Sequence, residues 1–202
     1  MALPLPPVFV FRPASELDFP ALVEFVHQQH VDSSSWDAAS HAAQTADLAT
    51  DFPDLVSPSA FSSLSRGAWL VCIGPGGPAA AAAGLDGGPE GTVVGAAGLK
   101  VCPSLPLPAL DVSYLFVAPQ WRGRGLGALL LRTCLQHAAG AGAPTVRLLS
   151  ITLYAAALSL YAGFGFFEYR ERETVGLYTL VHLEKRLNAA DAAVAAPAAG
   201  EK

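Results

Sequence analysis

Residues 120–131 read QWRGRGLGALLL, with two arginines and three glycines directly in front of a leucine-rich helical pattern. Glycine inside a helix costs about 1 kcal/mol relative to alanine, so three glycines at a helix start need an explanation. The start of a helix exposes N–H groups that lack internal partners and carries a partial positive charge. Glycines let an anion approach those groups closely, and Arg122 and Arg124 can add charged hydrogen bonds. The stretch therefore predicts an anion site between a strand and a helix, with a glycine-rich connection and solvated arginines as the alternative.

The composition is that of one globular domain, which we place at residues 1–187. The chain has 202 residues, of which 52% are hydrophobic, and a net charge of -5. Such an acidic chain argues against a general nucleic-acid or anionic membrane surface. No run of about 18 apolar residues is free of Gly, Pro and charge, and the proline-rich start does not resemble a signal peptide. The three cysteines are odd in number and widely spaced, which predicts reduced thiols in a cytoplasmic protein.

Apolar periodicity predicts alternating strands and helices on both sides of the glycine stretch. Before it we expect strands at 8–12, 68–73, 92–101 and 111–117, a helix at 15–30 and another helical segment within 36–50. After it we expect helices at 127–140 and 153–164, and strands at 146–151, 166–171 and 177–187. Ser15 would cap the first helix, in which Pro20 is an awkward inclusion. The Gly/Pro/Ala-rich residues 74–91 predict a mobile hairpin loop, and the Ala-rich tail 188–202 predicts disorder.

The glycines also allow an interpretation as a dinucleotide-binding turn, because Gly123, Gly125 and Ala128 fit the pattern GxGxxA. That pattern expects an acidic residue about twenty positions later, where it would hold a ribose. The sequence has no Asp or Glu between Asp111 and Glu168. An NADP-type site that uses Arg147 is left open.

Two motifs together carry a family resemblance. Read as (Q/R)xxGx(G/A), the first supplies Arg122, Gly125 and Gly127 after a strand that ends in LFVAP. The second is LYAAALSLYAGFGF, which resembles NxxAxxLYxxxGF, although Tyr154 stands where many members have Asn. The pair closely resembles the acetyl-CoA motif and the later block of the GCN5-related N-acetyltransferase (GNAT) superfamily. The resemblance is good over residues 90–187 and rests on element order alone over residues 8–73.

This resemblance implies an α+β (mixed α/β) GNAT fold. Its twisted sheet would be mixed but mostly antiparallel, with about six to seven strands and about four flanking helices. A V-shaped splay would separate the strands 111–117 and 146–151. Acetyl-CoA would bind as co-substrate, with the pantetheine along the backbone of Phe116 and Val117 and the pyrophosphate on the N–H groups from Arg122 to Ala128. The implied cofactor-binding residues are Phe116, Val117, Arg122, Gly123, Arg124, Gly125, Leu126, Gly127, Ala128, Tyr154, Ala157 and Tyr161.

Three catalytic roles follow from the resemblance. Tyr161 matches the tyrosine that protonates the CoA sulfur, with ring packing against the sheet as the alternative. Asp111 lies six residues before Val117, where several members place a glutamate base; a charged residue at a strand entrance is the alternative. The N–H of Val117 would stabilise the oxyanion.

The acceptor is a primary amine of unidentified type, either a small molecule or a protein or peptide amine. His30, Asp32 and Trp36 lie in or after the first helix, where this fold shapes the acceptor site, and the acidic N-terminal half mildly favours a cationic acceptor. No cluster has metal-ligand spacing, so no metal is expected. The sequence thus predicts direct transfer of acetyl from acetyl-CoA in a ternary complex, by a monomer or homodimer. The alternative is a catalytically silent acyl-CoA-binding or regulatory module.

Overall fold

Strands dominate the described part of the chain. The computed structural model describes residues 9–14, 16–32, 68–74, 91–102, 109–175, 178–188 and 191. Their order is β1 (Val10–Pro13), α1 (Phe19–Asp32), β2 (Ala68–Gly74), β3 (Thr92–Cys102), β4 (Ala109–Val117), α2 (Leu126–Gly140), β5 (Thr145–Ile151), α3 (Ala155–Gly163), β6 (Phe167–Glu168), β7 (Glu173–Val175) and β8 (Tyr178–Arg186). The helix predicted within 36–50, nearly all of the predicted loop 74–91 and the tail beyond residue 191 lie outside the described residues.

All eight strands belong to one sheet in the order β1-β2-β3-β4-β5-β8-β6, with β7 also paired to β8. Every neighbouring pair is antiparallel except β4 and β5, which are parallel. A parallel pair needs a crossover, and α2 supplies it. The predicted mixed, mostly antiparallel α+β fold is therefore confirmed.

The two faces of the sheet are covered by different helices. On the face that we call the α2 face, α2 packs against β2, β3, β4 and β5, and Tyr161 and Phe166 complete this core. On the opposite α1 face, Leu22, Phe25 and Val26 pack against residues of β2 and β3. The helix α2 contributes every third or fourth residue to its core, namely Leu126, Leu130, Leu131, Cys134, Leu135 and Ala138.

The strand β4 contains a bulge that changes its course. Ser113 pairs with Gly98 and Phe116 pairs with Ala96, so two β4 residues, Tyr114 and Leu115, lie opposite the single residue Ala97. Tyr114 has a φ of 54°, in the left-handed region that suits a bulge. Upstream of the bulge β4 pairs with β5 only from Leu110 to Val112. Beyond that point the two strands part, which is the V-shaped splay predicted between 111–117 and 146–151.

Two predicted boundaries differ from the structure at the first helix and at the strand 166–171. A 3-10 turn occupies Glu16–Asp18, and α1 begins at Phe19, so Pro20 lies in the first turn, where its missing N–H costs no hydrogen bond. Of the predicted strand 166–171 only β6, Phe167–Glu168, is a strand, and a second short strand, β7, follows beyond it at Glu173–Val175. Between them Arg172 donates to both carboxylate oxygens of Glu168, at 3.0 and 2.8 Å, which stabilises a turn.

Asn188 and Asp191, at the end of the described chain, are joined by two hydrogen bonds. Asn188 Oδ1 accepts from the Asp191 N–H and Asp191 Oδ2 accepts from the Asn188 N–H, which is the reciprocal pattern of a helix start. Asp191 is helical and lies 3.3 Å from Lys185 Nζ. The predicted disorder of the tail 188–202 stays a prediction. Among the described helices, none is long and apolar enough to cross a membrane.

Two thiols and a phenol buried in the core make the folded protein less stable at alkaline pH. Burial raises the pKa of the Cys72 and Cys134 thiols to about 12, and burial together with Cys134 raises the pKa of Tyr161 to about 12. Because these folded-state values exceed the unfolded ones, the stabilisation is complete below about pH 8.5 and is lost as the pH rises toward 12. We expect the free energy of unfolding, measured by urea titration, to fall above pH 9 by about 1 kcal/mol per pH unit or more. Cys72→Ala combined with Cys134→Ala should reduce this slope, and an equal slope in both proteins would contradict the assignment.

Candidate functional site

The start of α2 has backbone donors and no side chain that caps them. The first α-helical bond runs from the Leu129 N–H to the Gly125 carbonyl at 3.1 Å, so the N–H groups of Leu126, Gly127 and Ala128 have no partner within the helix. The N-cap is Gly125, it has no side-chain cap, and the first turn holds no acidic residue. The helix dipole is therefore uncompensated locally, and an anion is attracted to this end. We call the backbone from Gly123 to Ala128 the cradle.

The three glycines of the cradle differ in whether the structure requires glycine at their positions. Gly123 and Gly125 have φ of 73° and 80°, which only glycine adopts without strain. A Cβ at either position would have no atom within 4 Å. Gly127 has no such φ. Its Cβ would lie 3.7 Å from Leu160 and 3.9 Å from Val117, which is ordinary contact. The described protein atoms therefore do not require glycine at 127, although the position faces the gap between the end of β4 and α3.

Neither arginine of the stretch points freely into the cradle. Arg122 donates from Nε to the Val117 carbonyl at 2.8 Å and from Nη2 to Gln29 Oε1 at 3.4 Å. Its backbone N–H donates to the Pro119 carbonyl at 3.2 Å. That donor is therefore used within the turn, and the anion-binding role of the Arg122 N–H stays a prediction. Arg124 lies over the Trp121 ring, 4.9 Å from its centroid.

The edge of β4 that faces the splay is set by the alternation of backbone groups. The Ala118 N–H donates to the Val94 carbonyl of β3 at 2.9 Å. Successive residues of a strand point their N–H and C=O groups to opposite sides, so those of Val117 point away from β3 and toward β5. The polar groups of Phe116 point to β3. The pantetheine-binding role of Phe116 and Val117 stays a prediction, and the alternation favours Leu115 in place of Phe116.

The helix α3 forms the other side of the gap. Tyr154 is its N-cap, with its carbonyl accepting from the Leu158 N–H at 2.9 Å, and Ala157 is half-buried against the α2-face core. Tyr161 is buried, with its ring 5.8 Å from that of Phe166 in an edge-to-face contact. Because its pKa is raised to about 12, its phenol stays protonated at neutral pH. Leu160 and Gly127 bring α3 and the cradle together.

Asp111 lies at the closed end of the splay, in a row of charges across the α1 face. In register, Lys100 on β3, Asp111 on β4, Arg147 on β5 and Glu184 on β8 are successive neighbours. Arg147 donates from Nε to Glu184 Oε2 at 2.8 Å. Alternating signs on adjacent strands stabilise the sheet. We call these four residues the charge row; it gives Asp111 a structural role beside its predicted catalytic one.

The residues predicted to bind the acceptor lie mostly outside the described part of the structure. His30 and Asp32 are in the last turns of α1, and their side chains, like Trp36, lie outside the described part of the structure. In the described ranges no group of three His, Cys, Asp or Glu residues could hold a metal. A cavity of about 250 Å³ lies elsewhere, on the α2 face; it is lined by Leu158, Ala162, Phe166, Glu168, Arg172, Val181 and Leu183.

Sequence reasoning missed Gln29 and the bulge. Gln29 is 4% exposed although it is polar, and it faces Arg122 from α1. A polar residue on the buried stripe of a helix was the available signal. The bulge at Tyr114 had none, since a tyrosine rarely adopts a positive φ.

Solved structures with the same fold are numerous. An acetyltransferase of the GNAT family from Staphylococcus aureus Mu50 has a TM-score of 0.64 and 15% identity, covering 90% of this chain and 100% of that one. YncA from Salmonella typhimurium, solved with its cofactor acetyl-CoA, has a TM-score of 0.62 and 19% identity, covering 96% and 99%. The PaiA N-acetyltransferase from Thermoplasma acidophilum, solved with coenzyme A, has a TM-score of 0.63 and 15% identity, covering 89% and 99%. No curated protein sequence matches the chain.

The family itself is decided by the sequence profile of the acetyltransferase (GNAT) family, which matches residues 48–166. This range spans more than half of the chain and contains β4, the cradle and α3. With the parted strands and the motif residues in place around them, the chain belongs to the GNAT acetyltransferase family.

Proposed function

We propose that this protein is an acetyl-CoA-dependent N-acetyltransferase that passes the acetyl group directly to a primary amine in a ternary complex. The observation that carries the proposal is the gap between β4 and β5 beside an uncapped helix start. Bound acetyl-CoA would supply an activated acetyl thioester. Every other contribution comes from residues of this chain.

The cradle and the strand edge fit such a group. The N–H groups of the cradle can donate to pyrophosphate oxygens without a lysine, which suits an acidic protein. The splay-facing backbone groups of Leu115 and Val117 can pair with the amides of an extended chain, as in an added strand. The missing side chain at Gly127 leaves space where the end of β4 and α3 meet the cradle, and no described protein atom requires that space.

Three residues receive roles in the transfer. The Val117 N–H would donate to the thioester oxygen as negative charge develops there. Arg122 binds the carbonyl of the following peptide unit, that of Val117, and would hold the end of β4 in place. Tyr161 would donate its proton to the departing sulfur. Asp111 would accept the amine proton through water, because its side chain is one methylene shorter than that of a glutamate. Neither Cys72 nor Cys134 suits an acetyl-enzyme, because burial keeps both thiols protonated.

Gly127→Leu tests where the cofactor binds. Calorimetric titration with acetyl-CoA should show at least about tenfold weaker binding, which corresponds to about 1.4 kcal/mol, because the new side chain fills the space beside Val117 and Leu160. The matched control is Gly140→Leu at the far end of α2, where nothing lies within 4 Å of a built Cβ. Both variants should keep the melting temperature of the wild type, and NADPH should bind to none of them. Wild-type affinity in Gly127→Leu would refute the cradle.

Release of CoA from acetyl-CoA across a panel of primary amines distinguishes an enzyme from a binding module. We expect release that saturates with amine concentration and requires both substrates together, as a ternary complex demands. A protein that binds acetyl-CoA but releases no CoA with any amine is the catalytically silent module.

Tyr161→Phe and Asp111→Asn separate the two proton transfers. Removing the phenol should lower kcat by roughly 10²- to 10⁴-fold with little change in acetyl-CoA affinity. Asp111→Asn should remove the acidic limb of the pH–rate profile, because that limb reports protonation of the base. An unchanged kcat excludes Tyr161 as the acid. An unchanged acidic limb leaves Asp111 with its place in the charge row alone.

A further inference from the structure

The α1 face of β5 and β8 carries an apolar surface beside the splay. Leu148 and Leu183 point into the α2-face core, so their neighbours Leu149 and His182 lie on the α1 face, opposite each other in register. One step farther along, Ile151 pairs with Leu180 on the same face. Tyr169 borders this surface, with its ring 6.1 Å from that of His182. We call Leu149, Ile151, Tyr169, Leu180 and His182 the acceptor floor.

Leu149 is unusual for its position. It lies on β5, in the interior of the sheet, yet it is 55% exposed. It follows directly on Leu148, the last β5 residue that pairs with β4, so it stands at the point where the splay opens. A leucine is left uncovered where the acetyl group would be presented.

The polar side chains that lie between the floor and the splay already have charged or aromatic neighbours. Glu184 binds Arg147, and the Arg147 guanidinium lies 4.3 Å from the centroid of the Tyr169 ring. Asp111 lies in register between two cations, Lys100 and Arg147. His182 Nε2 is buried and has no hydrogen-bond partner among the described residues, so the His182 ring contributes packing and does not offer that nitrogen to the floor. A second ammonium group beside Leu149 would therefore meet Arg147, while the carboxylate of Glu173 lies on the far side of β8, in register with Leu180.

On the basis of the proposed acetyl transfer, we propose that the acceptor is a primary amine attached to an apolar or aromatic group, which packs on the floor against Leu149. The acidic N-terminal half favoured a cationic acceptor at the level of composition, whereas the side chains that border the splay favour an apolar one. A short diamine is a poor acceptor for this surface, because its second charge would lie against Leu149 and lose hydration without gaining a partner. A free arylalkylamine and a peptide with an N-terminal phenylalanine share the required chemistry.

The test compares kcat/KM for matched acceptors with the wild-type protein. The panel contains 2-phenylethylamine, 1,4-diaminobutane, and two short peptides that begin with phenylalanine and aspartate. We expect at least one apolar acceptor to exceed the diamine and the aspartate peptide by about tenfold or more. Whichever of phenylethylamine and the phenylalanine peptide is faster identifies the source of the group. A diamine or aspartate peptide that equals both overturns the proposal, while no transfer to any amine refutes the proposed function itself.

Variants at Leu149 test whether the preference for apolar acceptors arises at the floor. Leu149→Thr should raise the KM of the apolar acceptor and so remove most of its advantage in kcat/KM over the diamine. Leu149→Val should keep that advantage. The control Leu17→Thr changes a leucine that is 92% exposed on the turn before α1, and it should leave the ratio unchanged. Acetyl-CoA affinity should be the same in all variants. A wild-type ratio in Leu149→Thr would show that the group binds elsewhere and would overturn the floor.

Discussion

The parting of β4 from β5 is the constraint on which the rest of the site depends. Two neighbouring strands normally pair along their length, and here pairing stops after Val112. The extra residue in β4 provides the cause, since a bulge bends a strand and raises its twist. It also resets the side-chain alternation. Leu110 and Val112 point into the α2-face core before the bulge, and Leu115 and Val117 do so after it, although Val112 and Leu115 are three positions apart and would lie on opposite faces of a regular strand.

The α2 start makes use of the space that the bulge opens. Two glycines with positive φ carry the chain from the turn at 119–121 into the helix, and the helix then packs over the sheet at close range. Gly95 on β3 permits this approach, because a Cβ there would lie 2.9 Å from Leu130. The uncapped helix end is thus held rigidly at the mouth of the splay. Arg122 ties this end to the last carbonyl of β4 and to Gln29 of α1, so one guanidinium joins three elements around the site.

Much of this arrangement followed from the sequence because it depends on period and motif. The alternating and helical patterns placed β2, β3, β4, α2, β5 and β8 within two residues of their ends, and the spacing of the motifs brought Gly127 and Leu160 together. The directions of individual groups did not follow. The side of β4 to which Phe116 points depends on a bulge at a tyrosine, and the course of the Arg122 side chain depends on a glutamine 93 positions away in sequence. The break between β6 and β7 depends on an ion pair whose partners are charged residues of an ordinary surface type. Such features are decided by tertiary contacts that local propensity does not contain.

The charge row has a consequence for how sequences of this kind can diverge. Its four members stand on four adjacent strands, and each inner member has an opposite charge on both sides. Reversing the sign of Asp111 or Arg147 alone would place like charges next to each other on two sides at once, whereas exchanging neighbours in pairs would preserve the alternation. We therefore expect these positions to covary among homologous sequences, and the sign pattern across the four strands to persist where the individual residue types do not.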